Sequence, residues 1–199
     1  MYPTLTNLVA YVYCLLCSRT SKHIRQLTFE TQNILLKDFN NLKQIQVLKK
    51  EAKIFDIVQD VQSTFSAPSF CVMLSHCFMC CSFFGYVLLT TQLMSYPLFY
   101  VSLIFYVLNS FGSLAVCLWI AGGVSVEAEN FRTAFRRKVN LRKIMFAEVV
   151  NEQNSNDYLM TEQDYILSGC DLLQYKRSLI ITVVGTILTY TLLLLNLKE

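Results

Sequence analysis

Uncharged stretches alternate with charged ones along this chain. Residues 178–197 contain no Lys, Arg, Asp, Glu or His, and as a helix they would be roughly 30 Å long. That length matches the hydrocarbon core of a bilayer, so the stretch predicts one membrane crossing. Residues 61–126 also lack Lys, Arg, Asp and Glu. They are too long for one crossing and predict two.

Local helix signals place the boundaries of these two crossings. Ser95-Tyr96-Pro97 offers an N-cap followed by a proline in the first turn, and Ser66-Ala67-Pro68 offers the same signal for the preceding helix. Gly122-Gly123 is expected to loosen the exit from the second crossing. Six segments follow from these signals: the end of a transmembrane span at 1–17, a cytosolic amphipathic helix at 18–66, transmembrane spans at 67–94 and 97–124, a cytosolic helical linker at 125–177 and the terminal span at 178–197.

The two charged segments also have helical periodicity, with apolar residues on one side. In the first segment, Ile24, Leu27, Leu35, Leu42 and Val58 belong to that side. Packing of this face against other helices is favoured over binding to anionic lipid, because the face is regular over many turns. The basic face of 125–177 indicates a solvated surface. It lacks the interleaved aromatics of a nucleic-acid site, so no nucleic-acid partner is expected.

The basic residues predict the orientation. All but one of the 17 Lys and Arg residues lie in the two long charged segments, and the turn near residue 95 has none. The charged segments are therefore predicted to be cytosolic. The chain is expected to be a multi-pass protein of the cell membrane with an extracellular C-terminus at Glu199, whereas an ordinary G-protein-coupled receptor ends inside.

Composition agrees with an all-α, multi-span transmembrane bundle with long cytosolic helical extensions, since 54% of residues are hydrophobic and 16% charged. Most of the eight cysteines lie in apolar spans, without the His or carboxylate partners of a metal shell. No metal or cofactor is expected. Paired carboxylates and nucleophile or phosphate-binding motifs are missing, so no enzyme is predicted. His76, inside a span, is interpreted as a buried, hydrogen-bonded side chain.

Small and polar residues gather on one face of the terminal helix. They recur at steps of three and four, interrupted by Leu193. The residues of this face are Ser178, Thr182, Gly185, Thr186, Thr189 and Asn196. Such a face either lines a wettable path or lets helices pack closely and hydrogen-bond across their interface.

The same region resembles the last helix of the invertebrate gustatory receptor family. That family typically has Gly-Phe-Phe-x-x-x-Arg-Ser-Leu before the helix and ends it on Thr-Tyr, five apolar residues and Gln-Phe. Asn196 and Leu197 depart from the pattern, because they stand where Gln and Phe are usual. The residues that correspond to the motif are Gly169, Arg177, Ser178, Leu179, Thr189, Tyr190, Asn196 and Leu197.

The resemblance implies a chemosensory receptor subunit in a ligand-gated cation channel of four like or related subunits, with a small-molecule ligand. The last span would surround the pore, lined by Ser178, Thr182, Thr186, Thr189 and Asn196. The family has seven spans, so the chain is expected to be a fragment that begins in the fourth. The alternative is a non-channel, multi-pass membrane scaffold or interaction protein.

Overall fold

A computed structural model describes residues 3–89, 97–146, 165, 167–170 and 172–196. This part of the chain is mostly helical, as predicted. A short antiparallel hairpin, which no sequence pattern indicated, pairs Ser168 with Gln174 and Gly169 with Leu173. The elements in chain order are α1 (Pro3–Asn33), α2 (Asn41–Leu89), α3 (Pro97–Phe146), β1 (Ser168–Gly169), β2 (Leu173–Gln174) and α4 (Ser178–Asn196).

Helix α2 runs without interruption through the predicted helix start at Ser66-Ala67-Pro68, so that prediction is wrong. Pro68 lies inside the helix, where it removes one backbone donor. Two hydroxyl groups supply other contacts there: Ser69 Oγ donates to Ser66 O at 3.1 Å, and Ser66 Oγ accepts from Cys170 N at 2.7 Å. The serine predicted to cap a helix instead joins α2 to the hairpin.

Helix α3 likewise continues through Gly122-Gly123, although these glycines were expected to loosen it. Their role is tertiary, because the chain entering α4 crosses α3 at this point. A Cβ at Gly122 would lie 2.9 Å from Arg177 N, closer than a real Cβ approaches another backbone. Gly122 therefore permits the crossing rather than ending the helix.

The main core lies between α1, α2 and α3 and extends along both their uncharged and their charged portions. Ile24, Leu27 and Val58 are buried, so much of the predicted apolar side does pack within the chain. Leu35 and Leu42 belong to the same predicted side but are more than 70% exposed, which leaves the α1–α2 turn partly uncovered.

Two basic residues of α3 are structural, which corrects the prediction of a solvated basic face at those positions, whereas Arg136, Arg137 and Lys143 are exposed. Lys138 is buried and its Nζ donates to Thr31 O at 2.5 Å and Gln32 O at 2.8 Å, where the carbonyls at the end of α1 lack helical donors. Arg142 Nη1 donates to Phe39 O at 2.6 Å in the following turn. Burial lowers the pKa of Lys138, and its cation compensates the negative end of the α1 dipole.

Two helices in the described ranges have the length and hydropathy to cross a membrane: Asn41–Tyr86 and Val101–Met145. Only 28% of each apolar window is buried within the chain, so most of this surface faces outward, unlike a soluble core helix. Ser178–Leu194 is a shorter apolar helix. The predicted turn at Ser95-Tyr96, the predicted loop 151–157, Leu197 and Glu199 lie outside the described residues.

Candidate functional site

The polar face of α4 forms an open groove on the outside of the molecule. The groove is shallow and open, and all of its lining residues lie on α4: Thr182, Gly185, Thr186, Thr189, Tyr190 and Leu193. The helix thus brings together three of the five residues predicted to line a pore. Ser178 and Asn196 are exposed near the two ends of α4 but do not line the groove.

The groove threonines direct their hydroxyl hydrogens to their own helix. Thr186 Oγ1 donates to Thr182 O and Thr189 Oγ1 to Gly185 O, both at 2.9 Å. The same oxygens keep lone pairs that can accept from water or coordinate a cation. A face built this way tolerates an apolar neighbour, because its donors are satisfied, and it also offers acceptors to a wet path.

The opposite face of α4 fixes the helix to the rest of the chain. Ile187 is 7% exposed and packs in a second small core with Cys80 of α2 and Val107 of α3. A Cβ at Gly85 of α2 would lie 3.6 Å from Leu194 Cδ1 and 3.8 Å from the Tyr190 hydroxyl, so α2 and α4 meet closely there. These contacts orient the polar groove away from the intramolecular core.

A polar stripe on α2 holds the hairpin that leads into α4. Gln62, Ser66 and Ser69 are spaced four and three residues apart, which places them on one side of the helix. Gln62 Nε2 donates to Ser168 O, and its Oε1 accepts from Ser168 N, both at 2.9 Å. We call the hairpin together with these α2 contacts the hairpin clamp. It sets the position from which α4 departs.

The turn of the clamp leaves no space for a larger residue. Cys170 has a left-handed backbone with φ of 51°, and Leu172 N donates to Gly169 O at 3.0 Å. A Cβ at Gly169 would collide with the Tyr175 hydroxyl and would lie 3.0 Å from Phe70 Cβ. That hydroxyl shares a hydrogen bond of 2.9 Å with Ser69, and burial raises the pKa of Tyr175 to about 12. The phenol is therefore neutral at physiological pH.

The remaining motif residues are divided among several contacts. Leu179 packs on the main core, while Arg177 places its Cζ 4.3 Å from the centre of the Trp119 ring. Sequence reasoning missed the contact of Gly169 with Tyr175, although the polar stripe on α2 was a readable signal. His76 is buried as predicted, and its Nε2 has no hydrogen-bond partner among the residues that the structure describes.

Within the described ranges, no group of three or more His, Cys, Asp or Glu side chains is arranged to hold a metal ion. Searches against protein-family models and against curated proteins found no match to this sequence. The resemblance in the last helix therefore supports a proposal and does not assign a family.

Proposed function

We propose that the chain is a multi-pass protein of the cell membrane and a subunit of a chemosensory, gustatory-type receptor. In this proposal four like or related subunits form a ligand-gated cation channel around α4, and a small molecule opens it. The observation that carries the proposal is the outward polar groove on a helix whose opposite face is packed. Nothing in the described part of the chain covers that groove, and an assembly around α4 would.

The exposed apolar surface supports the membrane part of this proposal. Phe105 of α3 is 75% exposed and Phe78 of α2 is 63% exposed, on helices long enough to cross a bilayer. Exposing such surface to water costs about 25 cal/mol for each Å², whereas lipid removes that cost. The basic residues, concentrated in 18–62 and 125–177, favour a cytosolic location for those segments and an extracellular C-terminus.

The groove chemistry supports the pore part. An ion crossing the hydrocarbon needs polar groups or water along its path. Thr182, Thr186 and Thr189 present hydroxyl oxygens along one side of α4, and four copies would surround an axis with such oxygens. The apolar run that follows, Leu192–Leu195, would include a gate that closes by excluding water.

Cysteine accessibility tests the pore. In a receptor assembly that carries ligand-evoked cation current, cysteine in place of Thr182, Thr186 or Thr189 should react with water-soluble thiol reagents in the open state and change the current. Cysteine at Ile187 should leave the current unchanged, because that side chain is buried against α2 and α3. Equal effects on both faces, or modification without a change in conductance, would remove α4 from the conduction path.

A non-channel membrane scaffold is the second candidate, and the threonine hydrogen bonds favour it. Because Thr186 and Thr189 donate to their own helix, the groove can pack against another helix without leaving a donor unsatisfied. In that case α4 would still meet a partner, but no ion would pass along it.

A further inference from the structure

The start of α4, the middle of α3 and one turn of α1 meet at a single junction. Arg177 crosses α3 at Gly122, and its guanidinium lies over the Trp119 ring with Cζ 4.3 Å from the ring centre. A Cβ at Gly123 would lie 3.7 Å from Arg177 Nη2 and 3.8 Å from Ser21 Oγ of α1. We call Ser21, Trp119, Lys176 and Arg177 the junction patch.

Within the part of the chain that the structure describes, no acidic residue forms an ion pair with the basic residues of the junction patch. Lys176 and Arg177 are both exposed, and neither forms an ion pair with any residue that the structure describes. Stacking on Trp119 holds the guanidinium in place, which reduces the conformational entropy lost when a ligand binds. Ser21 Oγ, on the other side of Gly123, is buried and has no hydrogen-bond partner among the described residues.

The junction lies where two uncharged stretches end. Trp119 stands shortly before Glu127, the first charge after the uncharged residues 61–126, and Arg177 directly precedes the uncharged α4. Tryptophan and basic residues are the side chains that favour the boundary between hydrocarbon and headgroups. An exposed Trp with a stacked Arg and an adjacent Lys therefore lies at the depth of lipid phosphates in a membrane-embedded chain.

We propose that the junction patch binds the negatively charged headgroup of an anionic phospholipid in the cytoplasmic leaflet. This inference rests on the membrane insertion in the proposed function, but it requires neither a channel nor a ligand. The guanidinium is a planar donor suited to phosphate oxygens, and Lys176 adds a second positive charge. Binding there would couple the position of α4 to the lipid composition, because the same arginine contacts both α3 and the start of α4.

The chain contains a single tryptophan, and it lies in the patch, so its fluorescence reports on the lipids beside it. The full chain is reconstituted in phosphatidylcholine vesicles that contain a small fraction of a brominated lipid. This lipid is either phosphatidylserine or phosphatidylcholine, and in both cases the bromine lies near the headgroup end of the acyl chains. Bromine quenches tryptophan only at short range. One basic residue near the surface should enrich an anionic lipid about fivefold. Brominated phosphatidylserine should therefore quench the tryptophan at a correspondingly lower mole fraction than brominated phosphatidylcholine.

Charge variants identify the residue responsible. Arg177→Gln should remove most of the preference for phosphatidylserine. Lys176→Gln should reduce it in part, and this substitution removes no contact described in the fold. Arg137→Gln is the matched control, because Arg137 is exposed and lies about 27 Å further along α3. It should leave the preference intact.

The outcomes separate this inference from the membrane proposal. Equal quenching by both lipids in vesicles that retain the chain on flotation would overturn the anionic-headgroup site and leave membrane insertion standing. Failure of the chain to float with vesicles would overturn both the lipid site and membrane insertion. An undiminished preference in an Arg177→Gln variant with an unchanged helical spectrum would assign the charge effect elsewhere and overturn the junction patch.

Discussion

Gly122 and Gly112 lie on the same helix, α3, but have different surroundings. A Cβ at Gly122 would meet the backbone of Arg177 at 2.9 Å, whereas no atom of the described residues lies within 4 Å of a Cβ at Gly112. The contact at Gly122 involves backbone, which cannot rotate away as a side chain can. Gly122 thus sets how closely α4 approaches α3.

Alanine substitutions at these two glycines should have opposite effects. We expect Gly122→Ala to lower the free energy of unfolding by about 1–3 kcal/mol, because the new methyl group forces the two chain segments apart. Gly112→Ala should raise it by about 0.5–1 kcal/mol, since alanine restricts the unfolded chain and favours a helix. Thermal unfolding in detergent, followed by circular dichroism, measures both. Equal effects would show that α4 does not cross α3 at Gly122.

The hairpin clamp is the element that connects α4 to α2. Its strands are only two residues long, so their pairing contributes little by itself, and the side chain of Gln62 supplies a donor and an acceptor to Ser168. The clamp holds the segment that leads into α4, outside that helix. The contacts that fix where α4 starts therefore come from α2.

Removing the Gln62 side chain should release the clamp. Gln62→Ala takes away two hydrogen bonds to the Ser168 backbone, and each hydrogen bond contributes about 0.5–1.5 kcal/mol. We expect faster hydrogen exchange at the Ser168 amide. Gln59→Ala is the matched control, because Gln59 is exposed on the same helix. Unchanged exchange in the Gln62 variant, or an equal increase in both, would argue against the clamp.

Much of the helical architecture could be predicted at this scale, but the helix breaks could not. Uncharged stretches and helical periodicity predicted a helix beginning at Ser178, where α4 does begin. Pro68 and Gly122 break a helix only when no tertiary contact stabilises the helix there or requires a residue without a side chain. Here such contacts come from Cys170 and Arg177, which lie more than 50 residues away in the sequence. The spacing also predicted which side of α4 is polar. The spacing did not predict that this polar side faces away from the rest of the chain, because the sequence of an uncharged helix does not indicate which elements it packs against.

At the scale of the whole molecule, the distribution of charge predicts a topology. The two segments that hold nearly all of the basic residues should be cytosolic, and a tag placed after Glu199 should be extracellular. Antibody should therefore bind that tag on intact cells, whereas a tag inserted within 151–157 should require permeabilised cells. A C-terminal tag detected only after permeabilisation would reverse the topology, and the proposed receptor class would fail with it.

The central claim is that the polar groove of α4 meets other copies of the chain in the membrane. Cross-linking tests it most directly, using cysteine at Thr186 or at the neighbouring Ile187 in a background where the exposed Cys71 and Cys170 are replaced by Ser. Thr186 lines the groove, whereas Ile187 is buried against α2 and α3. With a membrane-permeant bifunctional maleimide, Thr186→Cys should give covalent dimers and larger species, and Ile187→Cys should remain monomeric. No cross-linked species from Thr186→Cys in membrane-inserted chain, or equal yields from both positions, would contradict the account.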